Sequence, residues 1–136
     1  MKNLNSNHMK KLDAYKQAKA DLEFATETRV GIVRALETLG SISVNSSITI
    51  NSNSSDKQYV YAISILNNQI VASKELGMDT KEFEDSKTAV ILIRNASKEY
   101  KAWDDYYHEL HDYANKVRKL LSDDELFQLL EAPVKP

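Results

Sequence analysis

The chain has 136 residues, of which 42% are hydrophobic and 28% charged, and a formal net charge of −2; this suits one globular domain and gives no global basic field to draw nucleic acid. It has no cysteine, which excludes disulfides, thiolate metal sites and cysteine nucleophiles and fits the reducing cytoplasm. Glycine occurs three times and proline twice, both prolines within the last four residues, so little interrupts helices and a mainly α chain is expected.

Residues 1–8 are polar and aperiodic and read as a disordered or cloning-derived leader ahead of Met9, followed by a single helical domain over 9–132 and a tail at 133–136. There is no apolar signal core near the start. The longest aliphatic run, Ala89-Val90-Ile91-Leu92-Ile93, is far short of the roughly 20 residues a membrane-spanning helix needs. No membrane association is expected.

A first helix is predicted from about Asn7 to Leu39, stopping at Gly40, a residue free to take the left-handed conformation that ends helices. Its apolar positions step by three and four through Tyr15, Ala18, Leu22, Ala25, Ile32, Leu36 and Leu39. Arg29 falls in the same register. A charge there must find a partner or an anion, because burying it alone is costly. It therefore reads as a half-buried ion pair, as a stem snorkelling out past Val30 and Val33, or as a ligand-binding guanidinium. Residues 1–20 carry five Lys against one Asp, a solvated face or, as the lesser alternative, a basic nucleic-acid arm.

The stretch SISVNSSITIN, residues 41–51, alternates with period two and reads as a β-hairpin. With Asn45, Ser46 and Ser47 as a three-residue loop, Val44 pairs with Ile48 and Ile42 with Ile50, which puts all four apolar side chains on one face. A two-stranded hairpin is marginal in water, so it must dock on helices or extend a sheet with a second copy. Ser55, with Gln58 in the capping-box position, then opens a second helix whose inner stripe is Tyr59, Ile63, Leu66 and Ile70 and which ends at Gly77.

Asp79 or Thr80 caps the next helix, after a short turn. Residues 70–85, IVASKELGMDTKEFED, resemble a DNA-binding helix-turn-helix in Ser73, Gly77 and Phe83. Charge argues otherwise. A recognition helix opening with Glu82, Glu84 and Asp85 would present acid to phosphates. A Gly-terminated αα-hairpin is the expectation, and nucleic acid is not an expected partner.

The third helix is predicted from about Thr80 to Leu121, with a heptad seam of Ala89, Ile93, Ala96, Tyr100, Trp103, Tyr107, Leu110, Ala114, Val117 and Leu121. A neighbouring column of Leu92, Tyr106, Tyr113 and Leu120 widens the face and suits a bundle. Ser122 with Glu125 is a further capping box. It opens a short helix through Glu131 that carries Leu126, Phe127, Leu129 and Leu130 and is ended by Pro133.

Within this helix, WDDYYHELHDY (residues 103–113) concentrates groups that could carry chemistry. The register turns Trp103, Tyr107 and Leu110 inward, leaves Tyr106 and Tyr113 at the margin, and places Asp104, His108 and His111 on one stripe. That spacing could offer metal ligands or an acid/base pair. The two His residues are three apart, not the four of the zinc-protease helix. Glu109 and Asp112 form an E-x-x-D that resembles the magnesium-chelating fragment of all-α nucleotide pyrophosphohydrolases. That resemblance implies a facing acidic motif on another helix, whereas the comparable group Glu82 to Asp85 lies on the same one. No glycine-rich phosphate loop and no nucleophile-base pair can be argued.

The expected fold is thus a mainly α helical bundle with long first and third helices, an αα-hairpin and a small β-hairpin insertion near residues 41–51. The expected function is that of a small cytoplasmic homo-oligomer acting by binding: a regulator, inhibitor or assembly factor of the kind phages and mobile elements encode. One alternative is a binder of a small anion, nucleotide or metal at subunit interfaces, using Arg29, Tyr106 and Tyr113 for the ligand and Asp104, His108 and His111 for a metal. A second is an all-α nucleotide hydrolase. No cofactor is expected under the first reading.

Overall fold

The computed structural model describes residues 2–121 and 131–136, with side chains from residue 11 onward. The elements in chain order are α1 (Lys2–Leu39), β1 (Ile42–Ser43), β2 (Thr49–Ile50), α2 (Asp56–Glu75) and α3 (Lys81–Lys119), a mainly α architecture with a small antiparallel pair. Helix α1 begins before the expected Asn7, and α3 runs unbroken for 39 residues, about 60 Å. Among the described residues no helix is long and apolar enough to cross a membrane. The helix expected from Ser122 lies, up to residue 130, outside the described residues, and 131–136 adopt no regular structure.

The chain divides into two compact units. Residues 32–100 form one; residues 1–31 and 101–136 form the other.

The 32–100 unit is built around an aliphatic cluster. Val44, Ile50, Tyr59, Ala62, Leu66, Val90 and Ile93 are buried, with Leu36, Leu39, Ile42, Ile48, Ile63, Ile65 and Phe83 packed against them. The hairpin forms in the expected register, Ile42 opposite Ile50 and Ser43 opposite Thr49, and the amide of Val44 donates to the Ile48 carbonyl at 2.9 Å. Asn45 makes its turn: its Oδ1 accepts from the amides of Ser47 (2.8 Å) and Ile48 (3.0 Å). All four apolar hairpin side chains join the cluster, so burial on helices within the unit meets the hairpin's need for support.

Helix α2 starts with the expected capping box, Ser55 accepting from the Gln58 amide and the Gln58 side chain accepting from the Ser55 amide. It stops in a Schellman turn in which Met78 N donates to Ser73 O (2.8 Å) and Gly77 N to Lys74 O (3.1 Å). Gly77, at φ +68°, takes the left-handed position. Thr80 O receives the first backbone bond of α3, from Glu84 N, and Asp79 Oδ1 accepts from Lys81 N.

Two polar contacts fix the start of α2, one to the chain leaving the hairpin and one to α3. Tyr59 OH donates to Asn51 O (2.7 Å), and Arg94 holds Asp56 through Nε (2.8 Å) and Nη2 (3.2 Å). The Arg94 hydrogen bond, with Lys98 adding, holds the Asp56 carboxyl below its ordinary value against a weaker opposing desolvation. Because the folded-state value is depressed, this contribution is present above the unfolded pKa and is lost as pH falls through the lowered value.

The sequence seam is buried or half-buried along α3: Ile93, Trp103, Leu110, Ala114 and Val117 are buried, and Ala89, Ala96, Tyr100 and Tyr107 half-buried; the helix stops at Lys119, so Leu121, also half-buried, falls in the turn beyond it. Three details differ. Val90, skipped by the heptad stepping, is fully buried, because cluster residues from α2 and the hairpin surround that side. Leu92, expected to widen the face, is 49% exposed. Tyr106, expected at the margin, is only 4% exposed, deeper than the seam residue Tyr107. A straight helix gains on a seven-residue repeat by about 20° per heptad, so the buried stripe wanders from strict heptad positions.

Candidate functional site

The residues singled out for chemistry fall in the unit formed by residues 1–31 and 101–136. There α1 supplies the buried alanines Ala18 and Ala25, while α3 supplies Trp103, Tyr106, Leu110, Ala114 and Val117. Small residues on one helix and rings on the other allow close approach. Trp103 is flanked by Phe24 (centroids 5.7 Å apart) and, perpendicular to it, by Tyr106 (5.6 Å, interplanar 86°), geometries that suit the ring quadrupoles. Lys135 of the C-terminal segment sets its Nζ 4.4 Å from the Phe24 centroid.

Arg29 is the centre of the polar arrangement. Its Nη1 donates to Asp104 Oδ1 at 2.7 Å, and its guanidinium carbon lies 3.8 Å from the centroid of Tyr107. The side chains of Arg29 and Asp104 are 19% and 31% exposed, so water is largely but not wholly removed from the pair. A planar guanidinium is suited to this double engagement, stacking with its face and donating with its edge. Its Nε is buried with no hydrogen-bond partner among the described residues.

Asp104 is shared. Its second oxygen, Oδ2, lies 3.6 Å from Nε2 of His108, whose side chain is 68% exposed. An exposed imidazole beside a carboxylate can exchange protons with water, but here a guanidinium already balances that carboxylate. Asp104 is therefore a weak candidate for general base or metal ligand.

Of the six candidates, the structure joins Arg29, Asp104 and His108 and does not join the rest to them. His111 is exposed, and its Nδ1 lies 3.4 Å from Asn115 Nδ2. Among the described residues no group of three or more His, Asp or Glu side chains is placed to hold a metal ion. Tyr106 packs perpendicular to Trp103 and is only 4% exposed, which leaves little of it to meet a ligand. Burial, with the charge of Asp21 adding, raises the pKa of its phenol; burial alone raises that of Tyr113.

Tyr113 instead lines a cleft of about 590 Å³ with Glu109, Asp112, Lys116, Glu131 and Pro133. The E-x-x-D carboxylates thus border open space next to a lysine, and the acid across from them comes from the C-terminal segment.

Tyr107 is the participant that sequence reading missed. The heptad pattern explained it as core, yet it is the ring under Arg29. The available signal was that Arg29 and Tyr107 both occupy seam positions of their helices. Phe24 lay outside the α1 stripe and carried no signal.

Comparison of the chain with protein-family models, with curated proteins and with solved structures finds no match.

Proposed function

We propose that this chain is a homo-oligomeric helical protein of the cytoplasm that acts by binding another macromolecular surface. The observation that carries this reading is the number of large apolar side chains outside the closed aliphatic core of the 32–100 unit. Val60 (50%), Tyr61 (60%), Val71 (57%), Leu76 (75%), Met78 (61%) and Leu92 (49%) are all about half exposed or more. Val60 and Val71 lie about three turns apart and so share one side of α2. Single exposed apolar residues need no explanation, but an exposed apolar side such as that of Val60 and Val71 can serve as a surface that meets another protein.

The polar side chains add support. Arg29 with Asp104 and Arg94 with Asp56 are committed to holding helices together, and Tyr59 with Asn51 to holding α2 to the end of the hairpin.

The test is the mass in solution. Light scattering on the purified chain is expected to give a multiple of 15.5 kDa. A monomer persisting at high concentration overturns the reading.

One observation favours a second reading, a small-ligand binder. A cleft of about 530 Å³ in the 32–100 unit is bordered by Leu36, Glu37, Asn53, Ser97 and Tyr100. Its volume is in the range of small-molecule sites. Native mass spectrometry of protein purified without added ligand tests it: a bound small molecule lost on Tyr100→Ala supports the reading, and ligand-free protein removes it.

A further inference from the structure

The turn between α2 and α3 is built for more than reversal of the chain. A Schellman turn needs glycine at its left-handed position, which Gly77 supplies, and is commonly accompanied by an apolar contact between the residue after the glycine and the last helical turn. Here the corresponding helical residue is Ser73, and Met78 is left 61% exposed beside Leu76, itself 75% exposed. Turn positions favour small and polar residues, so nothing in the turn's own geometry calls for Leu76 and Met78 on either side of Gly77.

The tip sits in acid. Residues 74–85 contain Glu75, Asp79, Glu82, Glu84 and Asp85 against Lys74 and Lys81, all exposed. Lys74 is drawn to Glu84, its Nζ 4.0 Å from Oε1. The opposite charge lies elsewhere in the same chain: residues 1–20 hold five Lys and one Asp, though the whole chain carries only −2. On that stretch Lys16 and Lys19 are exposed, and Leu12 between Lys11 and Asp13 is 37% exposed. An apolar knob with an acidic collar thus has, within one sequence, a helix side on which exposed Leu12, Lys16 and Lys19, spaced four and three residues apart, can receive it, Lys11 being buried and no part of that side.

We infer that the Leu76-Gly77-Met78 tip of one copy docks on the basic N-terminal part of α1 of a second copy, with acidic groups of the α3 start facing Lys16 and Lys19. This rests on the self-association proposed above and names its contact. The contact joins two different patches, so it is heterologous: repeated, it closes a ring or runs on as a chain. Opposed charge speeds encounter and selects the pairing, and salt screens it.

The experiment is a charge swap on the full chain, followed by sedimentation. Glu82→Lys with Asp85→Lys reverses the turn; Lys16→Glu with Lys19→Glu reverses the receiving face. Each double variant alone is expected to weaken association about tenfold or more, since like charges then meet, and an equimolar mixture of the two is expected to restore it. Raised salt should weaken the wild-type assembly. Leu76→Ser with Met78→Ser, which touches no charge and no core residue, should also dissociate it, and circular dichroism verifies that each variant is folded.

A wild-type oligomer indifferent to salt and to both reversals overturns this contact and leaves self-association standing. A wild-type monomer overturns both. If the turn variants dissociate the assembly while the α1 variants do not, the tip docks elsewhere and the pairing is wrong.

Discussion

Within each of the two units the balance of forces is different. In the 32–100 unit, aliphatic side chains from α1, the hairpin, α2 and α3 converge on one cluster, with Ala62, Val90 and Ile93 fully buried. In the other unit, buried Ala18, Ala25, Leu110, Ala114 and Val117 are joined by directional contacts between α1 and α3: the Phe24–Trp103–Tyr106 ring series and an Arg29 guanidinium that donates to Asp104 while stacked on Tyr107. Aliphatic burial is non-directional and additive in area, so it tolerates shape change but not loss of volume. Ion pairs and ring stacks depend on the partner remaining in place, so removing one member harms the member left behind.

The largest expected effect lies in the aliphatic cluster. Ile93→Ala, at a side chain with 0% exposure, should cost about 2–5 kcal/mol in denaturant unfolding, from lost burial and the cavity left behind. A loss below about 1 kcal/mol would mean the site collapses freely and the cluster is not close-packed.

The ring-and-charge unit should show an asymmetry instead. Asp104→Ala leaves a guanidinium that is 19% exposed without its carboxylate and should cost roughly 1–3 kcal/mol. Arg29→Met keeps an apolar stem over the Tyr107 ring and leaves a carboxylate that is 31% exposed and can turn to water; it should cost less than about 1 kcal/mol. The reverse order in thermal or chemical unfolding would show that the pair does not hold Arg29.

This contrast also explains what could be read from the sequence. Periodicity reports burial, and it located the hairpin register from Ile42, Val44, Ile48 and Ile50 and nine seam positions on α3, with the tenth, Leu121, just past its end. Local hydrogen bonding has fixed spacings, which made the Ser55–Gln58 box and the Gly40 and Gly77 stops legible. Directional contacts between distant segments leave no such trace. Arg29 was legible as a charge in need of a partner, but its partner is 75 residues away, and Asp104 looked equally fit to serve as a metal ligand. Nor could spacing reveal that Tyr106 would be buried and Leu92 exposed, since that depends on what covers each side of α3.

Local features should respond more weakly than the aliphatic cluster and no more strongly than the Arg29–Asp104 pair does to loss of Asp104. Ser55→Ala removes one half of the capping box, the bond to the Gln58 amide at 3.2 Å, and should cost about 1 kcal/mol.

The smallest effect should have the opposite sign. Gly31 is a helical residue of α1 and the last α1 residue of the ring-and-charge unit, next to Ile32 of the aliphatic one. A Cβ built there meets nothing within 4 Å, and its φ is not in the left-handed range. Neither sterics nor backbone conformation therefore requires glycine, and glycine inside a helix costs about 0.5–1 kcal/mol relative to alanine through the freedom it gives the unfolded chain. Gly31→Ala should raise unfolding stability by about that amount. Destabilisation would show that α1 leaves regular helical geometry where it passes from one unit to the other, and that the two kinds of packing demand something of this residue beyond helix.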